Sequence, residues 1–196
     1  MSDTIVYTSP CIIANETEII RDGAVVVDSE RILEIGKKDL ITKWWGSSNV
    51  INCKGFLLPP LINCHTHLEL SHLTTISPPY PESGMTEWIE DVLKSRKEQS
   101  ISSQDLDKAY TEALCQQNSS GVVLLADITN SPENTYPQSL GITEVSQIVE
   151  MIAPTTVRTE ETLDYLRKQP IAQQASPHSP YSTSANLIQS LKKRAH

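Results

Sequence analysis

A chain of 196 residues has room for one large domain or two small ones and is long enough to bury a core. With 38% hydrophobic and 20% charged residues, the composition is that of a globular chain, neither a disordered tail nor a membrane protein, and no run approaches the roughly 18 apolar residues that a spanning helix needs. A net charge of −8, from 24 acidic and 16 basic residues, argues against a binder of phosphate backbones; the one basic cluster, Lys192-Lys193-Arg194, reads as the cationic last turn of a helix.

The first 55 residues read as β. Ile5-Val6-Tyr7 is a short apolar run, and Ala24-Val25-Val26-Val27 and Arg31-Ile32-Leu33-Glu34-Ile35 flank a polar turn, which predicts a hairpin. Leu40 to Trp45 suits a helical turn, and Val50 to Cys53 another strand. After Gly55 the texture changes to alternating strand and helix signals. Leu57 to Cys64, interrupted by Pro59-Pro60, reads as a buried apolar strand that delivers polar residues at its C-terminal end. Thr74 to Ser83 reads as loop. Met85, Trp88, Ile89, Val92 and Leu93 fall at helical spacing, and Ser102 opens a second helix through Leu106, Tyr110, Ala113 and Leu114. Gly121 to Asp127 suits a strand buried on both faces, as parallel strands are. Pro132 to Leu140 is loop, and Val145 to Ile152 fits strand or helix equally. Thr159 to Lys168 reads as helix with Glu160 and Glu161 in its first turn, Ile171 to Pro177 as a weak strand, and Ser182-Thr183-Ser184 as the cap of a final helix. This alternation predicts an α/β fold with a parallel sheet and helices outside, either a barrel or a doubly wound sheet. No glycine-rich phosphate loop follows any strand.

Chemistry concentrates in Asn63-Cys64-His65-Thr66-His67-Leu68-Glu69. In extended chain, residues two apart point the same way, so His65 and His67, about 6–7 Å apart along the backbone, can converge on one metal ion. Imidazole suits Zn²⁺, with Fe²⁺ and Mn²⁺ as alternatives. A bare His-x-His also arises by chance as two surface residues, but here an apolar strand precedes the pair and a carboxylate follows it. The four cysteines, Cys11, Cys53, Cys64 and Cys115, form no CxxC pair, and Met1-Ser2-Asp3-Thr4 has neither the basic nor the apolar region of a signal peptide. Reduced thiols and a cytoplasmic setting are the expectation.

The stretch from Leu57 to Ser71 resembles the opening of the barrel in the amidohydrolase superfamily, where an apolar strand and a Pro-Gly precede Asn-Ala-His-x-His. His-Thr-His-Leu-Glu-Leu-Ser, with Glu87-Trp88-Ile89 and Arg96 downstream, is most similar to the branch containing aminofutalosine, S-adenosylhomocysteine and guanine deaminases. Three other segments agree in order: the hairpin from Arg21 to Gly36, the strand from Gly121 to Asp127, and Ser176-Pro177-His178-Ser179-Pro180. Two departures stand out, Pro60 for the usual Gly and Cys64 for the usual Ala.

The resemblance implies a small N-terminal β-sandwich-like domain (1–56) followed by about the first four strand–helix units of a TIM-type (β/α)₈ barrel (57–196). It implies His65 and His67 as ligands of one divalent metal, zinc before iron or manganese, and His178 and Glu69 as substrate-side residues. Asp127, at the end of a buried strand, reads as structural support as readily as functional. The implied activity is hydrolysis of a non-peptide C–N bond, the deamination of an aminated purine-like small molecule, with no nucleic-acid or membrane partner. The 140 residues from Leu57 to His196 fall short of the about 250 of a closed barrel. The third histidine, the proton-shuttling glutamate and the metal-binding aspartate of the family would lie on later strands. The expectation is therefore a half-barrel completed by the missing C-terminal half or by self-association, or a truncated chain that is catalytically silent.

Overall fold

The computed structural model describes residues 4–29, 31–46, 49–73, 84–98, 101–130, 139–169 and 174–194. It divides into two compact units, Met1–Pro60 and Leu61–His196.

The first unit contains β1 (Ile5–Ile13), β2 (Ile19–Val27), β3 (Ile32–Lys37), α1 (Lys38–Trp45), β4 (Asn49–Asn52) and β5 (Phe56–Leu57). The sheet runs β3-β2-β1-β4, with β5 also on β1; β1–β2 and β2–β3 are antiparallel, while β4 and β5 lie parallel to β1. The hairpin expected between β2 and β3 is present. Its turn lacks Asn-Gly and is held instead by the Asp28 carboxylate, which accepts the Arg31 N–H at 2.8 Å. Period-2 alternation sends Ala24 and Val26, with Val6, against Ile41 and Trp45 of α1. On the alternate positions, Val25 and Val27 join Tyr7, Ile12, Ile35 and Leu57 around an apolar groove of about 330 Å³.

The second unit begins with β6 (Leu61–Thr66) and a 3₁₀ turn (Leu68–Leu70), then α2 (Met85–Glu98), α3 (Ser103–Ser119), β7 (Val122–Thr129), β8 (Ser139–Leu140), β9 (Thr143–Met151), α4 (Thr156–Lys168), β10 (Ala175–Pro177) and α5 (Ala185–Arg194). The sheet order is β6-β7-β9-β10, every pair parallel, with β8 folded antiparallel onto β9. Strands in unbroken chain order, all parallel, place every strand's C-terminal end along one edge of the sheet. Two clusters form the core. Leu68, Tyr110, Leu114, Val122, Leu125 and Val145 seat α3 on the sheet, and Val149, Met151, Ala153, Leu166, Leu187 and Leu191 seat α4 and α5.

Local chemistry sets the ends of these elements. Ser102 Oγ accepts the Asp105 N–H at 3.1 Å and donates to the Asp105 carboxylate at 2.6 Å, which caps α3. The turn from α3 into β7 passes through Gly121 at φ +80°, a left-handed conformation suited to glycine. Arg194 donates to the carbonyls of Leu166 and Gln169, so the basic end of α5 caps the C-terminus of α4 as well as serving its own last turn.

Several expectations change. The strand placed over 57–64 is split, because Pro59 and Pro60 remove two ladder donors; Phe56–Leu57 pair with β1, and the second sheet starts at Leu61. β6 is largely exposed rather than buried, since β7 is its one neighbour among the described residues. Val145–Ile152, open between strand and helix, is the strand β9. α4 starts three residues earlier than expected, capped by Thr155 Oγ1 on the Arg158 N–H, so Glu160 and Glu161 fall beyond its first turn. The loop at 74–83, most of that at 132–140, and Ile171-Ala172 lie outside the described residues; the weak strand is seen as Ala175–Pro177.

Candidate metal centre

His65 is the fifth residue of β6 and His67 follows its end. Their Nε2 atoms approach to 3.2 Å, with ring centroids 5.1 Å apart and planes at 65°. Two nitrogens each about 2.0–2.1 Å from a tetrahedral ion stand about 3.3 Å apart, so this spacing is that of two ligands of one metal. A hydrogen bond between neutral rings gives the same distance, and metal analysis separates the two.

Each histidine is anchored through the backbone. The His65 N–H donates to Asn63 Oδ1 at 3.2 Å, and Asn63 Nδ2 donates to Gln117 Oε1 on α3 at 3.1 Å. The His67–Leu68 peptide is held on both sides: the Leu68 N–H donates to Asp127 Oδ1 at 2.8 Å, and the His67 carbonyl accepts the Leu70 N–H at 3.0 Å. Asp127 is fully buried near the end of β7, opposite Thr66 in register. Burial pushes its carboxyl above the usual range; the Leu68 N–H pulls it down, the negative Glu69 raises it, and His67 lowers it.

Glu69 is buried. Its Oε2 accepts from Thr129 Oγ1 at 2.8 Å and from the Asn130 N–H at 3.0 Å, while Oε1 lies 3.3 Å from Arg96 Nη2, an ion pair without hydrogen-bond geometry. Asn130 Nδ2 donates to the buried Glu150 of β9 at 2.9 Å. Glu69 thus joins α2 to the end of β7, and Asn130 carries the network to β9. His178 follows β10 on the same edge of the sheet. It is exposed, its Nδ1 is 2.5 Å from Ser182 Oγ, and its ring stands edge-on to Tyr181. The structure therefore brings His65 and His67 together, places Glu69 beside them in a separate buried network, and sets His178 at the far end of the strand row. Thr129 and Asn130 were not legible as site residues: two polar residues closing an apolar strand are an ordinary strand end.

The donor set suits a metal in two respects. The Nε2 spacing matches, and two buried polar atoms beside it, His67 Nδ1 and Asp127 Oδ2, have no hydrogen-bond partner among the described residues. It is also incomplete, because no group of three or more His, Cys, Asp or Glu among the described residues could hold an ion.

No family model matches the chain. It is 26% identical over 96 residues to the 5-methylthioadenosine/S-adenosylhomocysteine deaminase of Lawsonia intracellularis, covering 47% of this chain and 21% of that protein. The Bacillus cereus deaminase of the same name is 22% identical over 215 aligned residues, covering 96% of this chain and 46% of the relative. Among solved structures, Helicobacter pylori aminofutalosine deaminase in complex with methylthio-coformycin superposes with a TM-score of 0.68 at 22% identity, over 97% of this chain and 48% of that one. An adenosine deaminase from Xanthomonas campestris with bound zinc gives 0.56 at 15%, over 97% and 46%. The chain thus spans less than half the length of each of these proteins.

These likenesses define an α/β fold shared with deaminases. The sequence relatives and the solved neighbours belong to the amidohydrolase superfamily, and the chain is similar to them over less than half of their length.

Proposed function

We propose that this chain is the N-terminal half of a metal-dependent deaminase, a β-domain (1–60) followed by the first four strand–helix units of a (β/α)₈ barrel (61–196), in which His65 and His67 hold one divalent metal. The observation that carries the reading is the 3.2 Å approach of the two Nε2 atoms at the C-terminal end of the first parallel strand, the end at which barrels of this type place their chemistry. Zinc is preferred to iron or manganese for imidazole ligands near tetrahedral spacing, and zinc is bound in the Xanthomonas campestris neighbour.

His65 and His67 would hold the metal, which when bound would supply Lewis acidity to a water for attack on the C–N carbon. The backbones of His65 and His67 are fixed by Asn63 and Asp127. His178, with Nδ1 engaged by Ser182, offers Nε2 to a substrate. Glu69 holds Arg96 and the end of β7 in place, and a substrate contact by it requires giving up one of those partners. The substrate class is an aminated purine-like small molecule, from the names of the relatives. Water replaces the amino group, which leaves as ammonia. The groups that move the proton and complete the metal set would come from a C-terminal half or from a second copy of this chain. The reading places the protein in the cytoplasm, and no helix among the described residues is long and apolar enough to cross a membrane.

Zinc loading followed by metal analysis tests the pair. The expected result is about one ion per chain, lost in both His65→Ala and His67→Ala; full retention in both variants refutes the assignment. A second reading, a chain that keeps the pair but has no turnover, is favoured by the two-member donor set among the described residues. Ammonia release from 5-methylthioadenosine with zinc supplied separates it from the first.

A further inference from the structure

Asp127 makes a contact that the deamination chemistry does not explain. It is fully buried, and its Oδ1 takes the one backbone N–H that belongs to the same peptide unit as the His67 carbonyl. That unit is also held from the other side by the Leu70 N–H. His67 itself sits at φ −124°, ψ 82°, outside both helix and strand, so no regular ladder sets the orientation of its Cα–Cβ bond. Fixing the 67–68 peptide plane fixes ψ of His67, and with it where the ring hangs relative to His65. We propose that Asp127 is the positioning residue of the histidine pair: it reaches from the second parallel strand and, by tethering the Leu68 amide, holds the His67 ring at ligand distance from His65.

The alternative origin of the ring spacing, the strand itself, is weak here. The β6–β7 register shifts between Asn63 and Thr66, a stretch that contains His65, so the ladder is irregular where the ring spacing is set. Leu68 adds a second anchor by burying its side chain with Tyr110 and Leu114. That contact fixes the position of the turn but not the rotation of the peptide plane. A hydrogen bond does fix the rotation, and an aspartate, short and buried, is suited to hold it without slack.

The inference rests on the metal reading for its functional meaning but not for its geometry, and the experiment separates the two. The full chain is prepared as wild type, Asp127→Asn and Asp127→Ala. Cobalt(II) affinity is measured by chelator competition, and exchange of the Leu68 amide proton by NMR without metal. Asparagine keeps an Oδ1 acceptor for Leu68, whereas alanine removes it. The expected result is an affinity loss of about tenfold to a hundredfold in Asp127→Ala, with Asp127→Asn within about threefold of wild type. The Leu68 amide should be protected in wild type and Asp127→Asn and exchange freely in Asp127→Ala. The proposal is overturned by an alanine variant with unchanged affinity and protection, or by a folded asparagine variant that loses as much affinity as alanine. Should Asp127→Ala fail to fold, the asparagine variant alone decides: a loss of cobalt affinity of about tenfold or more from wild type, or loss of Leu68 protection, overturns the proposal. If wild type binds no cobalt, the metal reading fails. The tether is then judged by Leu68 protection and by the ring-to-ring nuclear Overhauser contact of His65 and His67, which must persist in Asp127→Asn and be lost in Asp127→Ala.

Discussion

Removing the charge of Arg96 should uncover how much the buried Glu69 carboxylate depends on it. The side chains are 33% and 3% exposed, and the charged atoms lie 3.3 Å apart. At an effective dielectric of about 20, the gross attraction is about 5 kcal/mol. Much of that is offset by the hydration both groups give up, and the contact lacks hydrogen-bond geometry. Glu69 also keeps two other donors, Thr129 Oγ1 and the Asn130 N–H, so loss of Arg96 does not strand it completely. The coupling energy should therefore be about 1–2 kcal/mol, below the roughly 3–5 kcal/mol cost of breaking a fully buried pair. A double-mutant cycle with Glu69→Gln and Arg96→Met measures it by urea unfolding. Glutamine retains an acceptor oxygen and methionine the apolar stem, so charge is the main change. With slopes of about 1–3 kcal/mol/M, each single variant should move the midpoint by about 1 M, and the double variant should lie close to either single one. The exposed Lys108–Glu112 pair, at 3.9 Å on α3, serves as the control and should show coupling of about 0.3–0.5 kcal/mol. Coupling no larger than the control refutes the claim that Glu69 anchors α2 to the end of β7.

Two further outcomes follow from the same unit. Burial raises the Asp127 carboxyl above its ordinary value of 3.8, so between 3.8 and the raised value the folded chain holds a proton that the unfolded chain has released. In chelator, stability should fall as pH rises through that window, relative to Asp127→Asn, which has no such proton; parallel pH profiles for the two chains would show that the shift is absent. Gly141→Ala should cost about 2–3 kcal/mol and lower the melting temperature by about 4–12 °C. Gly141 sits at φ +60°, and an added Cβ would meet Asn118 Oδ1 at 2.7 Å, the atom that accepts the Ile142 N–H. Gly55→Ala, with open space around it, is the control, and equal melting temperatures for the two variants would sink the argument.

The unequal legibility of this chain has a physical pattern. Val122–Thr129 and Ser103–Ser119 were readable because each carries one strong local signal, a β-branched apolar run after glycine or a serine cap before apolar residues at helical spacing. The break at Pro59-Pro60 was visible as an interruption, yet which sheet would claim Phe56–Leu57 depended on pairing with β1, some 45 residues upstream, and no local pattern encodes that choice. The candidate site divides in the same way. His65 and His67 announce themselves because their spacing alone makes convergence geometrically available. Asp127 could be seen only as a polar residue ending a buried strand, since its meaning lies in a hydrogen bond to Leu68, 59 residues away. Glu69 and Arg96 stand out in sequence only through the resemblance, and Asn130 and Glu150 not at all; the four become a network because three parallel strands and α2 bring them to one edge. Ligands are written locally and their supports across the fold. Sequence reading therefore finds the pair before it finds what aims it, and the supports are where substitutions with no evident motif should alter metal affinity.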